Sequence, residues 1–369
     1  MAKLAPSPAP EQVHARAAGL SYVSDDAPGI RRKPRGMGFS YHLPDGLLIS
    51  DREALARVRA LAVPPAWTEV WICTKANGHI QATGRDARGR KQYIYHPDWR
   101  TVRDRDKFER ILEFARLLPA IRGRVAQDMS RRGMPREKVL ATVVSLLDKT
   151  LIRVGNDGYA KENGSYGLTT LRVRHLEIEG QELRFHFKGK SGKTWRLSMK
   201  DRRIARVVRS IQDLPGQHLF QHVDDEGCVR SVDSNDVNEY LREIAGADVS
   251  AKDFRTWAGT VLAVLALSSL GPFASQTQAK VNLRRAIEAV ATKLGNTPTI
   301  CRKCYVHPEI MDCYLEGALP TIRASARDPE RTGLPKEEAA VLRLLKGRLT
   351  RARRKTRKPV AQAPLSRAA

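Results

Sequence analysis

The hydrophobic period of this chain changes once, near residue 100, and that change limits what it can fold into. Before it, apolar residues alternate. Phe39 and Tyr41 lie two apart, Val70–Cys73 and Ile80–Thr83 flank Asn77-Gly78, and Tyr93 and Tyr95 fall on one face. Alternation marks half-buried strands, and Asn-Gly marks a tight hairpin. Pro44-Asp45-Gly46 reads as a turn before Leu47–Ile49 resume the strand pattern, and Asp51–Ala62 has helical spacing that stops before Pro64-Pro65. Pro97–Lys107 is charged and aperiodic, so the domain boundary is placed there.

Beyond it the spacing becomes helical. Phe108, Ile111, Leu112, Phe114 and Ala115 give one helix; Val139, Leu140, Val143, Leu146, Leu147 and Leu151 give another, with Arg153 at its end. A β interlude runs from Leu171 to Leu197. Its last hairpin pairs Leu183, Phe185 and Phe187 with Trp195 and Leu197 across the tip Lys188-Gly189-Lys190-Ser191-Gly192-Lys193. Helices resume at Val237, Tyr240, Leu241 and Ile244, and Ser250 with Asp253 forms a capping-box pattern ahead of Arg255.

The pattern predicts an α+β chain of two domains. A loose Ala/Pro-rich arm covers 1–26, a β-rich domain with a basic strip at Arg31–Arg35 covers 27–98, and a mainly helical domain covers 99–347. The Arg/Lys-dense tail, 348–369, is expected to be disordered. No internal repeat is apparent.

Lys and Arg number 65 against 40 Asp and Glu, a net charge of +25. Such an excess points to a polyanionic partner, nucleic acid being the commonest, although a ribosome-associated or generally adhesive basic protein has the same balance. The residues after Met1 run into Pro6, Pro8 and Pro10 without an apolar core, so no secretory signal is expected. Val261–Leu270 is too short to span a bilayer and reads as a buried helix. Five cysteines without a framework fit a reducing cytoplasm.

The densest chemistry lies between Leu294 and Pro308. Gly295 is placed to stop a helix, Thr297-Pro298 to cap and start a short one, and His307-Pro308 to end it, which sets Tyr305 late on that helix. With Arg153, Lys190, Arg255 and Asn296, Tyr305 makes a candidate phosphoryl-transfer site. A phenol can attack phosphorus, and planar guanidinium groups donate paired hydrogen bonds to phosphate oxygens. Arg255, expected in the first turn of its helix, would add the positive end of the helix dipole. A lysine at a glycine-flanked tip can protonate a leaving oxygen, and spacing alone admits Lys188, Lys190 or Lys193. In Gly84–Tyr95, basic residues followed by Gln92, Tyr93 and Tyr95 suit a nucleic-acid surface as well as they suit a basic solvent face over core tyrosines. Cys301, Cys304, His307 and Cys313 also offer four zinc-ligand types, a reading ranked far below incidental thiols.

Taken in order, these segments resemble the type IB DNA topoisomerases of the small bacterial, poxvirus-like kind. The resemblance is carried by Leu151-Ile152-Arg153-Val154-Gly155 with Lys161-Glu162-Asn163 and Gly167-Leu168-Thr169-Thr170-Leu171. It continues through Phe187-Lys188-Gly189-Lys190, Lys252-Asp253-Phe254-Arg255-Thr256-Trp257, and Gly295-Asn296-Thr297-Pro298 with Tyr305, and it covers roughly residues 30–345. The resemblance implies a C-shaped clamp on double-stranded DNA and a 3′-phosphotyrosyl bond to Tyr305. It implies that Arg153 and Arg255 grip the scissile phosphate and that Lys190, chosen by alignment, acts as general acid. Gln92, Tyr93, Tyr95, Tyr159 and Lys252 would be DNA contacts. It also implies relaxation of supercoils without ATP, metal or other cofactor, by a monomeric, cytoplasmic, nucleoid-associated bacterial enzyme with no membrane partner. Many members carry histidine where Asn296 stands; asparagine can donate a hydrogen bond but cannot titrate.

Two rivals remain. A tyrosine recombinase shares the nucleophile, arginines and lysine, but usually has histidine where Lys252 stands and a helical N-terminal domain. A non-catalytic basic DNA-binding protein explains the charge and the tyrosines alone.

Overall fold

The computed structural model describes residues 10–87, 89–319 and 333–357 and divides the chain into two compact units, Met1–Glu109 and Arg110–Ala369. Helices and antiparallel sheets are mixed, so the chain is of the α+β class.

The first unit holds α1 (Pro10–Ala17), β1 (Ile30–Arg35), β2 (Gly38–His42), α2 (Arg52–Ala60), β3 (Thr68–Ile72), β4 (Ile80–Arg85), β5 (Lys91–Tyr95) and the start of α3 (Pro97–Asp128). The strands form one antiparallel sheet ordered β2-β1-β3-β4-β5. Its core gathers Ile30, Ile49, Val58, Val70, Ile72 and Ala82, with α2 supplying Val58. Asp51 caps α2 by accepting from the Glu53 amide at 3.0 Å.

At four places the structure adds to or departs from the expected pattern. The arm is ordered from residue 10, where α1 and the following turn bury Ala15 and Leu20 against Trp99, and Tyr22 stacks on His79 at 4.1 Å. Backbone bonds hold it as well, Ser21 N–H to Asn77 O at 2.8 Å and His79 N–H to Ser21 O at 2.9 Å, and such bonds leave no sequence period; residues 1–9 lie outside the described residues. The basic strip is strand β1, and Arg32 is spent inside the fold. It donates to the carbonyls of Val63 at 3.0 Å and Trp67 at 2.6 Å and lies 4.1 Å from the Phe39 ring centroid. Leu47–Ile49 makes no strand, only a bridge from Leu48 to His42. The aperiodic stretch 97–107 is helical, part of one α3 that continues to Asp128, and the division between units falls after Glu109. Its Arg and Lys residues carry good helix propensity, without an apolar face to announce the helix.

The second unit continues with α4 (Arg136–Thr150), α5 (Asp157–Asn163), β6 (Leu176–Glu179), β7 (Glu182–Lys188), β8 (Thr194–Lys200), α6 (Arg202–Gln212), β9 (Gln221–Val223) and β10 (Val229–Ser231). Then follow α7 (Ser234–Ala245), α8 (Ala251–Leu270), α9 (Gln276–Leu294), α10 (Pro298–Cys304), α11 (Pro308–Leu315) and α12 (Lys336–Arg357). The β6-β7-β8 sheet is antiparallel, with Phe187 opposite Trp195 and Phe185 opposite Leu197. One continuous core joins α3, α4, the sheet and α6–α9, with Leu140, Leu146, Phe185, Ile204, Leu241 and Val264 buried in it. Arg122 ties α3 to α4 and α12, donating to both carboxylate oxygens of Asp148 and both of Glu338 at 2.8–3.0 Å. The tail expected to be disordered from 348 is helical to Arg357, and Arg348 pairs with Glu309 at 2.9 Å and with Glu316. Residues 358–369 lie outside the described residues. No helix among the described residues is long and apolar enough to cross a membrane.

Candidate active site

Arg153, Arg255, Asn296 and Tyr305 come together in the second unit, each delivered by the end or face of a helix. Helix α4 stops at Leu151, which takes a left-handed conformation (φ 58°, ψ 17°) that costs a leucine roughly 1–2 kcal/mol. The turn exposes the Leu151 carbonyl, and Arg255 Nη1 donates to it. The extended residues that follow are held by the Gly167–Thr169 segment. Leu168 N–H donates to Arg153 O at 2.8 Å and Thr169 N–H to Val154 O at 2.7 Å. Gly167 is required for that approach, since a Cβ there would stand 2.6 Å from Arg153 O.

Helix α9 ends at Gly295, in the left-handed cap conformation at φ 60°, and the Asn296 N–H folds back to Ala291 O at 2.9 Å. Thr297 caps α10, accepting from the Ile300 amide, with Pro298 as its first residue. Asn296 is thereby fixed and buried. Its Oδ1 accepts from Arg153 Nη2 and, at 2.9 Å, from Arg255 Nη2. One carboxamide oxygen therefore bridges both guanidinium groups, and because both partners can only donate, the orientation of the amide is fixed chemically. Arg255 also donates to Leu294 O at 2.7 Å, while its buried Nε has no hydrogen-bond partner among the described residues. Arg255 is the fifth residue of α8, just past the first turn in which it was expected, and its position comes from these carbonyls rather than from the helix terminus. Ahead of it, the Asp253 carboxylate accepts from Ser250 N at 2.8 Å.

Tyr305 is the C-cap residue of α10, half-buried, with the Arg255 guanidinium carbon 5.2 Å from its ring centroid. Burial works to raise the phenol's pKa; the charges of Arg255 and then Arg153 outweigh it and leave the phenol below its usual value. Arg255 pays the complementary penalty: burial and then the charge of Arg153 lower it to about 10. The backbone of Tyr305 rests on α8. Thr260 Oγ donates to Tyr305 O at 3.3 Å and accepts from His307 N at 3.1 Å, and a Cβ at Gly259 would stand 2.6 Å from Tyr305 O. Neither Gly259 nor Thr260 was singled out from the sequence. The available signal was a glycine inside an apolar helix, which often marks close backbone approach.

Lys190 does not join this cluster. It is exposed at the β7–β8 tip and makes no hydrogen bond or ion pair with the described residues. Its neighbour Lys193 is the one that reaches the site, donating to Asn296 O at 2.9 Å. Lys252 is exposed in the first turn of α8. Tyr159 lies in α5, and its side chain is outside the described residues. In the first unit, Tyr93 and Tyr95 share one face of β5 with rings stacked at 5.8 Å. Tyr93 is exposed, while Gln92 donates to Asp86 at 2.9 Å. Tyr95 packs against the small cluster of Ala15, Leu20 and Trp99. No three of Cys301, Cys304, His307 and Cys313 bring ligand atoms together, because Cys301 and Cys313 are buried on separate helices.

Comparison with known proteins places the chain in a family. A model of the eukaryotic DNA topoisomerase I catalytic core matches residues 96–325, and a model of the bacterial DNA topoisomerase IB N-terminal domain matches residues 38–86. These define the class: an isomerase acting on DNA, a DNA topoisomerase. More narrowly, the chain belongs to the type IB family, in the form that carries the bacterial N-terminal domain. The DNA topoisomerase 1B of Acanthamoeba polyphaga mimivirus is 29% identical over 293 residues, 78% of this chain and 87% of that protein. The DNA topoisomerase 1B of Vaccinia virus (strain Copenhagen) is 23% identical, across 71% of this chain and 82% of its own length. DNA topoisomerase 1 of Mycosarcoma maydis is 25% identical over 54% of this chain and 22% of its own.

Proposed function

We propose that this enzyme relaxes supercoiled duplex DNA through a transient 3′-phosphotyrosyl bond at Tyr305, without ATP or metal. The Tyr305 oxygen bonds to the scissile phosphorus as the bond to the 5′ oxygen breaks. The phenol proton leaves to solvent, and the departing oxygen takes a proton from Lys190. The free strand turns about its partner, and the 5′ hydroxyl then reverses the exchange. The phosphotyrosine conserves the bond energy, so resealing needs no nucleotide.

The observation that carries this reading is the shared carboxamide oxygen. Arg153 and Arg255 both donate to Asn296 Oδ1, beside a phenol whose ionisation they favour. An anionic phosphate oxygen is a stronger acceptor than an amide oxygen, so DNA can displace Oδ1 and also take the unpartnered Arg255 Nε. Donors already placed where charge develops are usually the largest catalytic contribution. Lys190, exposed between glycines, must swing inward from the tip to act. The proposal extends to duplex contacts by Gln92, Tyr93, Tyr95, Tyr159 and Lys252, to a clamp around the duplex, and to a monomer working in the cytoplasm at the nucleoid.

The test is supercoiled plasmid incubated with the protein, EDTA and no nucleotide. Relaxed topoisomers are expected from the wild type. Tyr305→Phe should bind duplex normally, relax nothing and leave no covalent adduct after denaturation. Relaxation by Tyr305→Phe would sink the mechanism.

A further inference from the structure

The loop that carries Lys190 is fastened at its base to the opposite wall of the site. The indole of Trp195 fills the space between two glycines. A Cβ on Gly189, in its own hairpin, would stand 2.7 Å from its Cδ1 and Nε1, and a Cβ on Gly295 would stand 2.6 Å from its Cζ2. Trp195 also stacks on Phe187, with centroids 6.0 Å apart and planes 3° from parallel. Two residues before it, Lys193 donates to Asn296 O at 2.9 Å, and its own carbonyl accepts from Gly189 N at 2.8 Å, closing the loop. The tip beyond that closure turns through Ser191 at φ 62° and Gly192 at φ 73°, with Lys190 pointing into solvent. Asn296 is therefore held on two sides, its side-chain oxygen by the arginines and its backbone oxygen by Lys193.

We propose that Lys193 is a positioning residue: it docks the Lys190 loop onto Asn296, so that the proton donor and the phosphate-binding arginines keep one register. This rests on the reading of Lys190 as general acid. The two lysines divide the work by partner. Lys193 has its ammonium committed to a backbone carbonyl and cannot follow the leaving oxygen, whereas Lys190 has no partner among the described residues and swings about the base that Lys193 and Trp195 hold. Misplacing a reacting group by about 1 Å can cost roughly 100-fold in rate, so a loosened base slows protonation without touching the arginines.

The experiment compares single-turnover cleavage of two duplexes, one with the natural 5′ bridging oxygen at the scissile phosphate and one with sulfur there. A thiolate departs without a proton, so the sulfur substrate does not need the acid. Lys193→Met is expected to slow oxygen-substrate cleavage roughly 10- to 100-fold. It should cleave the sulfur substrate at close to the wild-type rate with unchanged duplex affinity, and Lys193→Arg, which keeps a donor, should recover most of the loss. Equal slowing on both substrates, or no slowing on either, overturns the proposal. Lys190→Ala run alongside separates the two ideas. If sulfur does not rescue it, Lys190 is not the acid and both fail. If sulfur rescues it while Lys193→Met cleaves the oxygen substrate normally, only the docking role fails.

Discussion

Gly259 presses its bare α-carbon against the backbone of Tyr305, at a spacing where a single added methyl would lie 2.6 Å from the Tyr305 carbonyl oxygen and 3.1 Å from its Cβ. Arg255 is one helical turn earlier on α8 and Thr260 one residue later, so a single helix face sets the distance from guanidinium to phenol. The core of the second unit, which buries Trp257, Ala263 and Val264 of the same helix, keeps that face still.

Gly259→Ala is therefore expected to separate stability from chemistry. Alanine is the better helix former by about 1 kcal/mol, so circular dichroism should report an intact helix. The methyl must displace Tyr305, and covalent adduct formation in a single-turnover assay should fall on the order of 100-fold with duplex affinity retained. Cleavage at the wild-type rate would mean that the contact does not place the nucleophile.

Asn296→Asp puts a carboxylate where both guanidinium groups now share an amide oxygen. The anion pairs with both arginines, so the melting temperature should hold or rise. The same charge repels the incoming phosphate and competes for its donors. Cleavage should drop by roughly 100- to 1,000-fold, the range seen when a charge-stabilising donor is removed. A variant with normal cleavage would show that the arginines do not meet the phosphate from this side.

Much of this site could be read from residue types because local rules fix it. Gly295 had to be a left-handed cap, Thr297-Pro298 had to open a helix, and the alternation of Phe185 and Phe187 with Trp195 and Leu197 fixed the hairpin register. What escaped depends on contacts between distant segments. Spacing cannot distinguish Lys190 from Lys193, since only the docking of the hairpin on Asn296 gives Lys193 a partner and leaves Lys190 exposed. Asn296 was expected as a donor to phosphate, yet its side-chain oxygen serves as acceptor for two arginines that lie 143 and 41 residues away along the chain. The ordered α1 and the opening stretch of α3, residues 97–107, were missed for the opposite reason, because neither shows a long apolar stripe.

Arg122 joins three helices through Asp148 and Glu338, with its side chain about a third exposed at 31%. Arg122→Ala leaves two carboxylates facing each other without a cation. Breaking a fully buried pair costs about 3–5 kcal/mol, and partial exposure should bring this one nearer to 2–3 kcal/mol. The midpoint of urea unfolding should fall accordingly, while adding Glu338→Gln should recover part of the loss. No change in midpoint would mean that solvent screens the cluster.

The phenol of Tyr305 supplies the last prediction. Burial raises its pKa, but the charges of Arg255 and Arg153 lower it further, so the folded protein releases this proton below the usual value of 10.0. In a near-ultraviolet titration, wild type minus Tyr305→Phe should show one phenolate appearing below pH 10, and Arg153→Gln should move that step upward. The linkage sign follows from a folded pKa that is depressed relative to the unfolded one. The ionised phenol stabilises the folded state fully above pH 10, and that contribution disappears as the pH falls through the phenol's own, lower pKa. Wild type should accordingly gain unfolding free energy over Tyr305→Phe as the pH rises through this window. A constant difference between the two proteins across it would show that the arginine charges do not reach the nucleophile.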